Sequence, residues 1–311
     1  MAANGITGPR GSPDADKRSA SFLSRVRAGP PLLLDGATGT ELERRGVACD
    51  LPLWSARALT QAPDVLEAIH RDYVAAGVDA LTANTFRTHS RSLAAAGMED
   101  RARQWTELAV QSARNAAVGS DREIFVLGSA APLEDCYRPD LVPPLQKLER
   151  EHRAHADHLA GAGVDAILVE TMNTAREARV AAQAARARGL PMIVSFVCHA
   201  DARLLSGESL DEALDAIIPL DPAAVGVNCL PARAVPACLE VLTAANVPFA
   251  IYTNLGAPGR AEEARTDDCT PQEFAAAASE WLSRGARLVG GCCGTSPDHL
   301  RAVRNAIDRT G

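Results

Sequence analysis

Two kinds of segment alternate along the chain after residue 30. Short runs of apolar residues, most of them ending in a polar residue or a cysteine, are followed by longer stretches in which Ala, Arg, Glu and Leu recur at helical spacing. The apolar runs are PLLLD, VDALTAN, IFVLGS, VDAILVE, PMIVSFVC, AVGVNC, VPFAIYTN and RLVGGCC. Continuous apolar strands that alternate with amphipathic helices are typical of a parallel sheet covered by helices.

The number of these units predicts the architecture. Eight strand–helix units within about 280 residues are typical of a (β/α)8 TIM barrel, so we predict an α/β barrel domain over residues 31–311. A doubly wound open sheet is the alternative, but the first strand–helix turn, DGATGTE, lacks the glycine spacing of a dinucleotide-binding fingerprint. Residues 1–30 are rich in Gly, Pro, Ser and charged residues, which predicts a loose N-terminal extension.

Composition narrows the classes of partner. Apolar residues make up 47% of the 311 residues, and the net charge of −7 leaves no excess of Lys and Arg for a nucleic-acid surface. No stretch approaches the roughly 18 consecutive apolar residues of a membrane span, and the N-terminus lacks the apolar core of a secretory signal. We therefore expect a cytoplasmic monomer or homodimer that binds small molecules, and neither nucleic acid nor membranes.

Polar and thiol groups concentrate at the predicted strand ends, where a barrel of this type carries its chemistry. Cys229 ends the sixth strand, and the adjacent pair Cys292 and Cys293 ends the eighth. Three thiolates on nearby strand ends suit a tetrahedral Zn²⁺ that keeps one open position. The alternative is a set of buried or redox-active cysteines. The remaining cysteines are expected to be packing or surface thiols; they are Cys49, Cys136, Cys198, Cys238 and Cys269.

The charge of such a metal site indicates its chemistry. Zn²⁺ with three thiolates carries a net charge of −1 and is a modest Lewis acid, better suited to stabilising a deprotonated substrate thiol than to polarising a carbonyl group. A thiol with a pKa of about 8.5 in solution would then react as a thiolate at neutral pH. No side chain of the protein is needed as the nucleophile.

Several motifs resemble a known enzyme family. LLLDGATGTELERRG, GVNCL and GGCCGTSPDHL strongly resemble the homocysteine S-methyltransferases, which are zinc-dependent (β/α)8 enzymes. Members of that family move a methyl group from a small donor of the S-methylmethionine, S-adenosylmethionine or betaine type to the thiol of homocysteine, giving methionine. The resemblance implies that Cys229, Cys292 and Cys293 hold the zinc ion.

The resemblance also implies roles for residues that meet the amino acid. Asp35 and Glu170 are expected to hold its ammonium group, although a turn or capping role for Asp35 and a structural ion pair for Glu170 are the alternatives. Backbone N–H groups of the turn after the first strand suit its carboxylate. These amides belong to Gly36, Ala37 and Thr38.

Four further residues are candidates for substrate contacts. Asn84 and Asn228 either orient ligands or cap turns. Trp54 and Tyr137 are expected in the methyl-donor pocket, because cationic donors favour aromatic faces, whereas ordinary packing is the alternative for both. Two segments beside this pocket, APLEDCYRPD and YTNLGAPG, differ from the corresponding GPYG and YPNSGE of members that use S-methylmethionine, so the donor stays open.

Two alternative functions and one excluded metal site follow from the sequence. In the first alternative, the acceptor is selenocysteine or another small thiol instead of homocysteine. A zinc- or thiol-binding sensor without catalysis is an alternative from a different functional class. His152, His155 and His158 recur at intervals of three in EREHRAHADHL, which predicts a solvated helix face rather than a metal site.

Overall fold

The computed structural model describes residues 13–256 and 269–310, and eight parallel strands form its centre. The strands are β1 Leu32–Leu33, β2 Ala80–Ala83, β3 Phe125–Ala130, β4 Ala166–Met172, β5 Met192–Phe196, β6 Ala224–Pro231, β7 Phe249–Asn254 and β8 Leu288–Gly291. Each strand overlaps one of the eight predicted runs, and β3, β4 and β6 extend one or two residues beyond theirs. The lateral order is β1-β8-β7-β6-β5-β4-β3-β2.

Hydrogen bonds between β1 and β2 close the sheet on itself. The N–H of Asp79 donates to the carbonyl oxygen of Leu33 at 2.7 Å, and the N–H of Asp35 donates to that of Ala80 at 3.0 Å. The alternative of an open doubly wound sheet is therefore wrong, and the predicted (β/α)8 barrel is confirmed.

Helices surround the barrel and follow its strands along the chain. They are α1 Pro13–Ala28, α2 Gly39–Arg44, α3 Ala58–Gln61, α4 Pro63–Ala76, α5 Ser90–Ala94, α6 Ala102–Ala117, α7 Leu145–Ala162, α8 Ala175–Ala187, α9 Leu210–Ile217, α10 Val235–Ala244, α11 Pro271–Ser283 and α12 Pro297–Thr310. None of the helices in the described ranges combines the length and apolarity that a bilayer span requires.

The N-terminal helix α1 packs on the barrel. Its Phe22 and Val26 are fully buried and belong to the apolar cluster inside the barrel, where the ring of Phe22 meets that of Phe125 edge-on at 5.3 Å between centroids. Arg18 donates two hydrogen bonds of 2.9 Å to the buried carboxylate of Asp165. The prediction of a loose extension is therefore wrong for residues 13–28, and residues 1–12 lie outside the described ranges.

The histidines of α7 also differ from the prediction. His152 and His155 are only 2% and 3% exposed, because their helical positions share the inward stripe of α7 with Leu148 and Leu159. His152 Nε2 lies 3.0 Å from a carboxylate oxygen of Glu177, and burial lowers the pKa of His155 to about 4. The predicted solvated face is therefore wrong for these two histidines.

Replacing Phe22 by Ala should lower the free energy of unfolding by about 3 kcal/mol, because the substitution opens a cavity at the end of the barrel core. Urea denaturation measures the change. Ser24→Ala, on the exposed side of the same helix, is the matched control and should change the free energy by less than about 0.5 kcal/mol. Equal effects of the two substitutions would contradict the packing of α1.

Candidate metal and substrate site

A cavity of about 820 Å³ opens at the C-terminal ends of the strands. This volume lies in the range of pockets that enclose small-molecule ligands. The strand ends contribute Asp35, Glu170, Cys229, Cys292 and Cys293, and the loops contribute Trp54, Phe86, Arg87 and Tyr137.

The structure brings three predicted thiols together in this cavity. The Sγ atoms of Cys229, Cys292 and Cys293 all lie within 4.8 Å of one another. With zinc–sulfur bonds of about 2.3 Å, the sulfurs of a tetrahedral site stand about 3.8 Å apart, so small side-chain rotations would complete the geometry. The sulfur-only donor set and its partial burial fit a zinc ion.

Hydrogen bonds from β7 and the residue after it hold the backbone of the cysteine pair. The N–H of Cys292 donates to the carbonyl oxygen of Thr253 at 2.8 Å, and the N–H of Cys293 donates to Oδ1 of Asn254 at 3.0 Å. The carbonyl oxygen of Cys293 in turn accepts from the N–H of Leu255 at 3.0 Å. Both neighbouring thiols are thereby fixed relative to Cys229, which lies on the other side of β7.

The three glycines around the cysteine pair are required for different structural reasons. Gly294 has a φ of 88°, so it provides the left-handed turn after the thiols. A Cβ on Gly291 would stand 2.3 Å from Oγ1 of Thr295, and one on Gly290 would stand 2.7 Å from Cβ of Leu34. Close packing, rather than turning, therefore requires the first two glycines.

The three sulfurs share their protons unequally. Hydrogen bonds from Cys292 and Cys293 hold the pKa of Cys229 well below its usual value. The same bonds raise the pKa values of Cys292 and Cys293. The hydroxyl oxygen of Tyr137 lies 3.0 Å from the sulfur of Cys229. The three thiols are therefore close enough to alter one another's ionisation.

Two buried carboxyl groups line the same cavity. Asp35 accepts hydrogen bonds of 2.8 Å from both the N–H and the hydroxyl group of Thr82, and Glu170 accepts one from the hydroxyl group of Ser129. Burial raises the pKa of Asp35 to about 7. Burial, together with the charges of Cys229 and Asp35, raises the pKa of Glu170 to about 8.

Among the described residues, no cationic side chain neutralises either carboxyl group. Within the described ranges, no Lys, Arg or His nitrogen forms an ion pair with Asp35 or Glu170, so the structural ion pair considered for Glu170 is not found there. Both groups are more than nine-tenths buried, and burial disfavours their ionised forms. A ligand that carries an ammonium group would supply the missing positive charge.

Asn228 holds the strand end that carries Glu170. Its Oδ1 accepts from the N–H of Thr171 at 2.9 Å, and its Nδ2 donates to the hydroxyl group of Thr171 at 2.8 Å. Thr171 has a φ of 57°, which is a strained conformation for a β-branched residue, and the pairing of β4 with β5 is irregular there. Asn228 is fully buried and acts on the strand end rather than lining the cavity.

Asn84 holds the loop that carries Trp54. Its side chain accepts a 2.7 Å hydrogen bond from the hydroxyl group of Ser55 and donates one of 2.8 Å to the carbonyl oxygen of that residue. Trp54 then meets the ring of Phe86 edge-on, with 5.6 Å between the centroids. Both rings line the cavity, and so does Tyr137.

The turn after β1 was expected to bind the substrate carboxylate through three backbone N–H groups, and the structure leaves only part of it available. The N–H of Ala37 donates to Oγ1 of Thr295 at 3.2 Å, so this amide is not available to a ligand carboxylate. Gly36 packs so closely against Tyr73 that a Cβ would stand 2.7 Å from the tyrosine hydroxyl group. The N–H of Thr38 has no protein acceptor within the described part of the chain and lines the cavity.

Phe86 and Arg87 are among the residues of the cavity wall that sequence reasoning missed. They follow the end of β2 directly in the ANTFRT segment. Their closeness to a predicted strand end is the signal that could have identified them. Ser129 was recognised only as a strand end, and its bond to Glu170 gives it a supporting role.

The raised pKa of Asp35 predicts a measurable dependence of stability on pH. Because its pKa rises from 3.8 to about 7 on folding, the folded state binds the proton more tightly, and the stabilisation is lost as pH rises between these values. The free energy of unfolding of the wild type minus that of Asp35→Asn should fall by up to about 4 kcal/mol between pH 4 and 7. Urea denaturation across this range measures it, and a pH-independent difference would contradict the assignment.

Comparisons with known proteins agree with the resemblance in the motifs. A family profile described as homocysteine S-methyltransferase matches residues 32–307. Homocysteine S-methyltransferase 4 of Zea mays is 30% identical over 310 residues, which cover 90% of each chain. Methionine synthase of Mycobacterium tuberculosis is 32% identical over 294 residues, which cover 88% of this chain and 24% of that protein, so this chain spans about a quarter of its length.

A further relative and a solved structure extend the comparison. Selenocysteine Se-methyltransferase of Brassica oleracea var. italica is 28% identical over 309 residues, which cover 88% of each chain. The crystal structure of the homocysteine methyltransferase MmuM from Escherichia coli, in its metallated form, superposes with a TM-score of 0.78 at 27% identity, covering 93% of this chain and 99% of that one. The chain therefore belongs to the homocysteine S-methyltransferase family and is a methyltransferase.

Proposed function

We propose that the protein transfers a methyl group from a small cationic donor to the thiol of homocysteine, giving methionine. The observation that carries this proposal is the cluster of three thiols beside two buried carboxyl groups that have no cationic partner among the described residues. The cluster suits the thiol end of the acceptor, and the carboxyl groups suit its ammonium end. We take Zn²⁺, bound to Cys229, Cys292 and Cys293, as the cofactor.

The thiol cluster accounts for activation of the acceptor. When bound there, zinc would lower the pKa of the substrate thiol, so that the thiol ionises near neutral pH. The backbone bonds to Thr253 and Asn254 keep Cys292 and Cys293 in place without help from the substrate. The hydroxyl group of Tyr137, 3.0 Å from the sulfur of Cys229, can donate a hydrogen bond that stabilises the charge on that sulfur.

Asp35 and Glu170 account for orientation of the acceptor. Their carboxylates would bind the ammonium group and thereby fix the thiol over the cysteines, while the free N–H of Thr38 can donate to the acceptor carboxylate. A ligand ammonium favours the ionised form of both carboxyl groups and offsets the effect of burial on their pKa values. Positioning two reactants in this way is itself a large part of catalysis.

The aromatic side of the cavity suits the donor. Trp54, Phe86 and Tyr137 present rings that attract a sulfonium or quaternary ammonium centre. In the transfer, the thiolate forms a bond to the methyl carbon while the bond from that carbon to the donor atom breaks, and its electron pair stays on the donor. Both opposite charges disappear in this step, so a partly dry cavity favours it.

Selenocysteine is the second candidate acceptor. A relative that aligns over 88% of this chain is named a selenocysteine Se-methyltransferase, and a selenol presents the same ammonium and carboxylate groups. Competition between equal concentrations of the two acceptors would decide which one the cavity prefers. If methylselenocysteine is the main product, selenocysteine replaces homocysteine as the proposed acceptor. The proposed methyl-transfer chemistry stays the same.

We further propose that the enzyme works in a reducing cytoplasm, as a monomer or a homodimer with small-molecule substrates. All eight cysteines of the chain are free thiols, and a reducing compartment would preserve the three that bind the metal.

Zinc content tests the metal site directly. Elemental mass spectrometry should find about one zinc ion per wild-type chain and none in Cys293→Ser, because two thiolates and a hydroxyl group bind zinc far more weakly than three thiolates. Cys238→Ser, which changes a fully buried thiol on α10, is the matched control and should keep the metal. A full complement of zinc in Cys293→Ser, or wild type that takes up none, would contradict the site.

Replacing Glu170 by Gln should raise the KM for homocysteine by about 10- to 100-fold, because a charge-assisted bond to the ammonium group is lost. Steady-state kinetics with 4-mercaptobutyrate, which keeps the thiol and the carboxylate but lacks the ammonium group, provide the control. The variant should lose most of the wild-type preference for homocysteine over this analogue while its zinc content stays constant. An unchanged preference would contradict the assignment of Glu170.

A further inference from the structure

Arg87 is a buried cation in the wall of the cavity. It lies in the loop after β2 and is only 8% exposed. Its Nη1 donates to the carbonyl oxygen of Glu134 at 3.0 Å, and its guanidinium carbon lies 5.3 Å from the centroid of the Phe86 ring. These two contacts hold the planar group in place.

The described residues supply no counter-ion for this arginine. Its Nε is buried without a hydrogen-bond partner, and no carboxylate in the described ranges lies within ion-pair distance of it. Nearby arginines differ, since Arg91 pairs with Glu134 and Glu151, and Arg138 pairs with Asp140. A buried charge without a partner is costly, so an anion from a ligand would compensate for it.

We propose that Arg87 binds a carboxylate of the methyl donor, which makes the donor a zwitterion with its cationic methyl-bearing centre and its carboxylate at a distance from each other. This inference rests on the proposed function. The guanidinium fork matches a carboxylate and can donate two parallel bonds to it. The positive charge of Arg87 also disfavours a donor that carries only positive charge.

The position of Arg87 favours the donor over the acceptor as the source of this carboxylate. The acceptor already has a proposed contact for each of its groups: the thiols for its sulfur, Asp35 and Glu170 for its ammonium group, and the N–H of Thr38 for its carboxylate. Arg87 lies four residues beyond the end of β2 at Ala83, next to Phe86. It also contacts the backbone of Glu134, in the loop that carries Tyr137. The guanidinium group of Arg87 therefore lies on the aromatic side of the cavity, where the donor is proposed to bind.

A comparison of two donors tests this proposal. S-methylmethionine carries a carboxylate, and trimethylsulfonium carries only the methyl-bearing cation. The ratio of kcat/KM for the first donor to that for the second should fall about 10- to 100-fold in Arg87→Gln, because charge-assisted bonds to the carboxylate are lost. Arg284→Gln makes the same charge change at an exposed arginine that is paired with Glu240 and does not line the cavity, and it should alter the ratio by less than about two-fold.

Two outcomes would overturn the proposal. The first is a ratio that Arg87→Gln leaves unchanged. The second is a rise in the KM for homocysteine with no change in the KM for S-methylmethionine, which would place the acceptor carboxylate on Arg87. Because the ratio is measured within one variant, it does not depend on the fraction of folded enzyme. If Arg87→Gln fails to fold, Arg87→Lys keeps the charge without the fork and should lower the same ratio by a smaller factor.

Calorimetric titration with S-methylmethionine alone separates this inference from the proposed function. If the wild type binds this compound at least about ten-fold more tightly than Arg87→Gln does, the carboxylate site stands even if no methyl transfer occurs. If methyl transfer from S-methylmethionine to homocysteine occurs but the two proteins bind S-methylmethionine equally, the proposed function stands and the role of Arg87 is wrong.

Discussion

The convergence of three thiols from two strands is the constraint on which the rest of the site depends. Cys229 lies on β6 and the cysteine pair follows β8, so β7 between them must hold both at the correct distance. It does so because Thr253 and Asn254 accept hydrogen bonds from the backbone N–H groups of the pair. The chemistry therefore relies on the closed barrel rather than on a local loop motif, which explains why no usual zinc-finger spacing marks the site.

Around the thiols, the cavity separates charged groups that have no partner of opposite charge among residues 13–256 and 269–310. The unpaired carboxyl groups of Asp35 and Glu170 lie at the strand ends, and the unpaired cation of Arg87 lies in the surrounding loop. Each is buried at a cost that a ligand of opposite charge would offset. A cavity of this kind discriminates between ligands by where they carry charge, because an uncharged analogue would leave a buried group unpaired.

The strands could be predicted from the apolar pattern, and the gathering of the thiols and the two carboxyl groups could be predicted because a barrel places the C-terminal ends of its strands on one face. The roles assigned to these side chains came from the family resemblance. The packing of α1 could not be predicted, because its apolar residues are few and Asp165, which binds Arg18, lies 147 residues away. The burial of His152 likewise depends on Glu177 from another helix. Arg87 could not be predicted as a site residue for a similar reason, because the sequence alone does not show which side chains lie around it in space.

Zinc K-edge X-ray absorption of the purified enzyme, with and without homocysteine, tests the central claim most directly because it counts the sulfur atoms bound to the metal. The account predicts about three sulfurs near 2.3 Å in the enzyme alone and about four after homocysteine is added. A sulfur count that stays the same on addition of homocysteine, or a metal surrounded mainly by nitrogen and oxygen, would contradict thiol activation at Cys229, Cys292 and Cys293.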